Sequence, residues 1–350
     1  MNRIASCAAL VLLAASSLFA QQPKNVKILT GLTPLQLQRE MNVMRSALGV
    51  HCDYCHVGPT ETNGNKWDFA SDANPKKETG RSMLKMMTDL NKTSFEGQPT
   101  ITCYTCHNGH IKPRTSVPLP QPQPPFPTPV EDRKSYPAVK DLVARYVAAL
   151  GGEKALPLLH PKSRTSSGTR VDTKGNSAAF ELREANDRVY VKAKTGDTMV
   201  EQSFGAGGGW IRDKDEARDM RPGELEAIRD VYPSFEPFDP GTLNDKARVM
   251  AKEKIGDRDA WVVSDKLDDN TRVQVWFDAN SGLALRRLLL LNSQVGRIPK
   301  QTDYDDYRDA GGIKLPYEVK FSSVDPWIGS TRKYGEIHPG APVDPAVFAK

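Results

Sequence analysis

The chain has 350 residues, 38% hydrophobic and 26% charged, with a formal net charge of +5 at pH 7, a globular composition with length enough for two domains. Its 48 basic and 43 acidic residues are interspersed. Without a long basic run or a basic patch interleaved with aromatics, a nucleic-acid partner is excluded.

Residues 1–20, MNRIASCAALVLLAASSLFA, place Arg3 ahead of an apolar run from Ile4 to Phe19 and end on Ala20 before polar QQPKN. This is the order of a secretory signal peptide, with the run too short for a confident membrane span. Cleavage after Ala20 and export, to the periplasm or beyond, are expected. Cys7 lies in IASC, which imitates a lipoprotein box, but no apolar run precedes it. Cleavage leaves four thiols, Cys52, Cys55, Cys103 and Cys106.

Two helices are predicted next. LTPLQLQREMNVMRSALGV offers Thr33 as N-cap, Pro34 at the first helical position, a stripe of Leu37, Met41, Met44 and Leu48, and Gly49 as a stop. NPKKETGRSMLKMMTDLN repeats the plan with Asn74, Pro75 and a stripe of Met83, Met86, Met87 and Leu90. Each helix is followed by a Cys-x-x-Cys-His motif, HCDYCH and TCYTCH, the first cysteines being Cys52 and Cys103. The N-terminal part is therefore an internal duplication.

Zinc needs four tetrahedral ligands drawn from both cysteine pairs. A dithiol redox centre needs one pair, at a helix start behind a strand. Covalent c-type haem needs two thiols for thioether bonds and a histidine directly after them to reach the iron. Only haem accounts for His56 and His107 at the same position of both motifs, so two haem c groups are expected. The other axial ligand must come from elsewhere, and methionine is its common source in electron-carrying c haems. Met41, Met44, Met83, Met86 and Met87 compete for two places, and a methionine on an apolar stripe also reads as core filling. Spacing does not choose among them.

Between Pro113 and Pro129 eight of seventeen residues are proline, which favours an extended polyproline spacer over helix or central strand. Residues 112–134 are read as a linker between domains at 21–111 and 135–350. SYPAVKDLVARYVAALGG beyond it is an amphipathic helix with a glycine stop. AAFELRE, RVYVKAK, DAWVVSDKL, TRVQVWFD, LALRRLLLL and YEVKFSS then read as strands, with DANSG and DAGG as hairpin turns. GAGGGW lacks the lysine and hydroxyl residue of a phosphate loop and reads as a tight turn.

Residues 25–115 resemble the tetrahaem cytochrome c subunit family of photosynthetic reaction centres. MNVMRSALGVHCDYCH is similar to the family segment running from a ligating methionine to the haem cysteines, which implies Met41 and His56 as the axial pair of the first haem. RSMLKMMTDLN followed by TCYTCHNG is similar to the family's second type of unit, which implies Met83 and His107 for the second. The family has four haems where this chain has two motifs. No histidine stands near Gln98, where the family supplies one to a distant haem, so no bis-histidine site is carried over. His51 and His110 are read as surface residues. Residues 136–350 resemble LolA-like lipoprotein-carrier domains, which implies a half-open antiparallel barrel able to enclose an apolar ligand.

The expected fold class is α+β, a mostly helical dihaem module followed by an antiparallel sheet domain that opens with a helix. The expected function is electron transfer between redox protein partners, with room for a membrane-associated complex. The rivals are a dihaem peroxidase-like enzyme with one open iron and a lipophilic-ligand-binding protein whose haems report redox state.

Overall fold

A computed structural model describes residues 23–121, 133–195, 198–213, 216–232, 236–324 and 329–350. The expected signal peptide, Cys7 and most of the proline tract lie outside the described residues.

Helix α1 (Pro34–Leu48) begins as its sequence dictates. The Thr33 hydroxyl accepts from the Gln36 N–H, the Gln36 side chain accepts from the Thr33 N–H, and Pro34 fills the first turn. Gly49 ends it in the left-handed conformation at φ 68°. Helix α2 (Pro75–Ser94) starts on Asn74, which accepts from the Lys76 N–H. The first motif forms a 3₁₀ turn over Cys52–Tyr54, and the second forms the short helix α3 (Cys103–His107), capped by Thr102.

The stripes read from the sequence coincide only in part with the buried faces. On α1 the buried residues are Glu40, Asn42, Val43 and Ala47, while Met41 and Met44 are half-buried. On α2 they are Arg81, Leu84, Met87 and Asn91, whereas Met83 and Met86 are 43% and 53% exposed and Leu90 is exposed too. α2 thus turns Met83, Met86 and Leu90 away from the packed core, whereas Met41 and Met44 of α1 pack against the core that Val43 forms with Leu84 and Met87.

Beyond the proline tract come α4 (Val139–Leu150) and an antiparallel sheet that holds thirteen strands among the described residues. The first six are β1 (Ser163–Asp172), β2 (Ser177–Ala185), β3 (Arg188–Thr195), β4 (Thr198–Gly205), β5 (Gly208–Asp213) and β6 (Glu216–Asp219). Helix α5 (Pro222–Val231) follows, then β7 (Arg248–Ile255), β8 (Arg258–Lys266), β9 (Thr271–Asp278), β10 (Ala284–Ser293), β11 (Gly296–Asp309), β12 (Lys314–Ser323) and β13 (Ser330–Pro339). The order is β6-β5-β4-β3-β2-β1-β13-β12-β11-β10-β9-β8-β7. Two meanders are thus joined by the pairing of β1 with β13, and the sheet is left open at β6 and β7.

Alternation along the strands sends one set of side chains onto the helices. Leu142, Tyr146 and Leu150 of α4 pack with Val273, Val275, Phe277, Tyr304, Val319 and Phe321, and the buried Tyr146 hydroxyl donates to the Phe238 carbonyl at 2.8 Å. Phe180, Leu182 and Phe204 pack with Tyr232 and with Leu225 and Ile228 of α5. The α+β class and the antiparallel sheet expected from the sequence are present. Space left beside α5 amounts to about 20 Å³, and its lining includes Arg164, Glu184, Glu236 and Arg332. That is room for about one water.

The helical part and the sheet share a third core. Leu29, Val43, Leu84 and Met87 pack around Val295 and Ile298, from the turn between β10 and β11 and from β11 itself. Val295 is fully buried. The Glu40 carboxylate, also buried, accepts the N–H groups of Gln294 and Val295, each at 3.3 Å. Burial pushes that carboxyl up, and hydrogen bonds from Ser293, Gln294 and Val295 pull it back. Gln294 also donates its side-chain amide to the Thr30 carbonyl at 3.2 Å.

Candidate functional site

α2 runs alongside both cysteine motifs and holds each by an asparagine. Asn74, at its N-cap, donates to the Tyr54 carbonyl at 3.1 Å inside the first motif. Asn91, buried in its last turn, donates to the Ile101 carbonyl at 2.7 Å and accepts the Ile101 N–H at 2.8 Å, fixing the entry to the second. α1 ties the motifs to one another. The Gly109 N–H donates to the Ala47 carbonyl at 2.8 Å, and Gly49 lies so close to the Gly109 carbonyl oxygen that a Cβ there would collide with it.

Replacing Asn91 by alanine leaves both polar groups of Ile101 without their partner. The expected cost is about 2 kcal/mol, read as a lower midpoint in denaturant, with the sheet's circular-dichroism signal retained after the transition of the helical part.

The two histidines are oriented alike. His56 Nδ1 is 3.2 Å from the Phe69 carbonyl oxygen and His107 Nδ1 is 3.0 Å from that of His110. A ring whose Nδ1–H is given to a carbonyl keeps Nε2 as the free lone pair, which is how metal-bound histidines are held. The partner of His56 comes from a loop closed by a bridge between Val57 and Asp68 and pinned by Lys77, whose ammonium donates to the carbonyls of Phe69, Ala70 and Ser71 at 2.9 Å. Phe69 also sets its ring edge-on to His56 at 5.3 Å, with Trp67 stacked upon it. Burial, then the nearby Lys77 ammonium, pushes the His56 imidazole down toward its neutral form.

All four thiols are free, with Cys52 and Cys106 exposed and Cys55 and Cys103 half-buried. Burial pushes the Cys55 and Cys103 thiols up, opposite to what a reactive dithiol requires. Among the described residues no group of three or more histidine, cysteine or carboxylate side chains stands close enough to hold a metal ion, so the two pairs do not converge as a four-thiol zinc site does. His51 and His110 are exposed.

The donor set therefore fits covalent haem at each motif: one exposed and one half-buried thiol and, directly after them, an imidazole with Nε2 free. Residues 10–140 match the family model described as photosynthetic reaction centre cytochrome C subunit. The chain is 36% identical over 90 residues to cytochrome c-554 of Chloroflexus aurantiacus, covering 24% of this chain and 20% of that protein. It is 39% identical over 83 residues to the photosynthetic reaction center cytochrome c subunit of Rubrivivax gelatinosus, covering 19% of this chain and 21% of that one. The chain thus spans about a fifth of the length of these curated relatives. The similarity supports a haem-binding, electron-transfer cytochrome c segment. Among solved structures, a LolA superfamily protein from Nitrosomonas europaea superposes with a TM-score of 0.35 at 12% identity, over 59% of this chain and 97% of that one.

Sequence reasoning passed over Asn91, Glu40 and Val295. The first two are polar residues on helices, which read by default as solvated. Val295 left a trace, since an apolar residue in the turn of SQVG, where polar residues are the rule, points to a covered hairpin tip. No described helix is long and apolar enough to cross a membrane.

Proposed function

We propose that this chain is an exported dihaem c-type cytochrome that relays single electrons between redox proteins. Cys52 and Cys55 would hold one haem through thioether bonds and Cys103 and Cys106 the other. His56 and Met41 would be the axial residues of the first, His107 and Met83 of the second. The observation that carries this reading is the shared setting of His56 and His107, each directly after its cysteine pair and each with Nδ1 against a backbone carbonyl.

Haem bound with a histidine and a methionine supplies a one-electron couple with no open coordination position. The protein's part is positional. The carbonyls of Phe69 and His110 fix the imidazole tautomers and the asparagines of α2 hold the motif backbones. The contact between Gly49 and Gly109 keeps the motifs adjacent, so that an electron entering at one has a short path to the other. The charged lining and small size of the pocket beside α5 give no support to a lipophilic ligand there.

The test is the mass and spectrum of the chain produced with a haem-attachment system. Two added haem masses are expected, falling to one when Cys103 and Cys106 are both replaced by alanine. A colourless product with the mass of its amino acids alone overturns the reading. A high-spin haem with peroxide turnover replaces it with the enzyme.

A further inference from the structure

The Phe69 carbonyl serves two nitrogens at once. His56 Nδ1 lies 3.2 Å from its oxygen, and the Lys77 ammonium donates to the same oxygen at 2.9 Å. The ammonium and the ring nitrogen are therefore no farther apart than two hydrogen bonds laid end to end. The carbonyls of Ala70 and Ser71 hold the ammonium there at 2.9 Å each, and the Lys77 side chain is only 11% exposed. A charge so covered is screened little by salt.

Nor is that charge cancelled where it sits. Asp72 lies 3.3 Å from Lys77 but also takes Lys27 and Arg81, each at 2.9 Å. Arg81 in turn reaches Glu78 at 2.9 Å. Three cations thus meet two carboxylates, and both carboxylates are exposed. After burial, the charges of Lys77 and Arg81 are what push the His56 imidazole down. The second motif is built differently. His107 Nδ1 has the His110 carbonyl at 3.0 Å, and among the described residues no lysine or arginine side chain donates to that oxygen. Arg114 reaches the His110 ring instead, at 3.1 Å.

We infer that Lys77 is a positioning residue for His56 that raises the reduction potential of the first haem above that of the second. The inference rests on the reading of the N-terminal part as a dihaem cytochrome with the same ligand pair on both irons, since the surroundings then decide the order. Two effects act in one direction. A carbonyl already bound to an ammonium accepts the Nδ1–H more weakly, which makes His56 a poorer donor to ferric iron. The ammonium also opposes the extra positive charge of the ferric state directly. Hydrogen bonding behind the axial ligand is one of the levers a protein has on a haem potential, and here the two motifs differ in it.

The experiment is an optical potentiometric titration of the haem-loaded full chain as wild type, Lys77→Met, Lys77→Arg and Asp72→Asn, each first weighed to count its haems. In Lys77→Met the higher of two one-electron waves should fall by about tenfold in its equilibrium constant, or ~59 mV for one electron, while the lower stays. The same fall is expected when Lys77→Met is made in the chain with Cys103 and Cys106 replaced by alanine, which keeps only the first haem. Lys77→Arg retains the charge and should hold most of the wild-type value. Asp72→Asn removes the counter-charge but keeps an oxygen that accepts from Arg81, so the higher wave should rise. A role confined to supporting the loop would move Lys77→Met and Asp72→Asn in the same direction. Movement of the lower wave only, of both waves equally or of neither overturns the assignment, as does a fall in Asp72→Asn. If Lys77→Met loses a haem, the direction of the shift in Asp72→Asn decides. A wild type without haem removes the functional reading instead, and this inference with it.

Discussion

Replacing Val295 by aspartate should release the helical part from the sheet while the sheet itself survives. Val295 has no exposed surface and packs with Leu29, Val43, Leu84, Met87 and Ile298. A carboxylate there enters an apolar core directly above Glu40, a second buried carboxylate already bonded to the backbone of the same turn. Burying an unpaired charge costs several kcal/mol, so the loss should reach about 4 kcal/mol or more. That is a large share of the 5–15 kcal/mol by which domains are typically stable. Val295→Ala, which only empties volume, should cost about 2 kcal/mol.

The ladder from Arg286 with Asp303 to Ser293 with Gly296 does not depend on the tip side chain, so strand signal should persist in circular dichroism. Residues 23–111 should become sensitive to protease at concentrations that leave the wild type whole. Equal protease resistance of Val295→Asp and wild type would show that the shared core does not hold the helical part.

This coupling changes how the proline tract is understood. A polyproline spacer between two independent bodies would let the cytochrome segment roam. The turn between β10 and β11 instead grips that segment at Glu40, Thr30 and Thr102. The Thr102 side chain lies so near Gly296 that a Cβ on the glycine would sit 2.6 Å from its Cγ2. Thr102 is also the N-cap of the helix bearing Cys103, Cys106 and His107. The second motif is thereby braced from the sheet side and, through Asn91, from the α2 side.

What the sequence makes legible is local chemistry. Thr33 with Pro34, Asn74 with Pro75 and Gly49 mark helix ends because caps are short-range devices, and the structure has each in the expected role. Strands such as β9 and β12 were readable because alternation of valine and aromatics needs no partner to be seen. β1 and β11 were not. β1, SRTSSGTRVD, has only Ser166 fully buried, so no apolar rhythm exists to detect. β11 alternates in burial, but Lys300 and Thr302 occupy two of its inward positions and Pro299 interrupts it. Its rhythm is one of position and not of residue type.

The methionine stripes show a different limit. Periodicity tells that a helix face is apolar and says nothing of what covers it. On α2 the core took Leu84 and Met87 and left Met83 and Met86 outside. That partition depends on where α2 meets Leu29, Val43 and Val295, contacts distant in sequence.

That partition sets up the second large effect, a separation of stability from spectroscopy among the methionines of α2. Met87 is 6% exposed within the shared core, so Met87→Ala should cost about 2–4 kcal/mol and leave both haem spectra as they are. Met83 makes little of the core, so Met83→Ala should change the melting of the unliganded chain by less than about 1 kcal/mol. In the loaded protein it should convert one of the two haems from low spin to high spin, or to a substitute ligand, with loss of half the sulfur-to-iron charge-transfer band. Met41→Ala should remove the other half, and the double variant should lose the whole band while keeping both thioether-bound haems by mass. The exposed Met86 is the competitor, and if Met86→Ala removes the half-band where Met83→Ala does not, the ligand belongs there. Retention of the full band in the Met41 and Met83 double variant would take both residues out of the coordination sphere. It would reduce Met41 and Met83 to apolar surface packed against the ring, since hydrophobic contact tolerates alanine at some loss of area, whereas a sulfur–iron bond does not tolerate it at all.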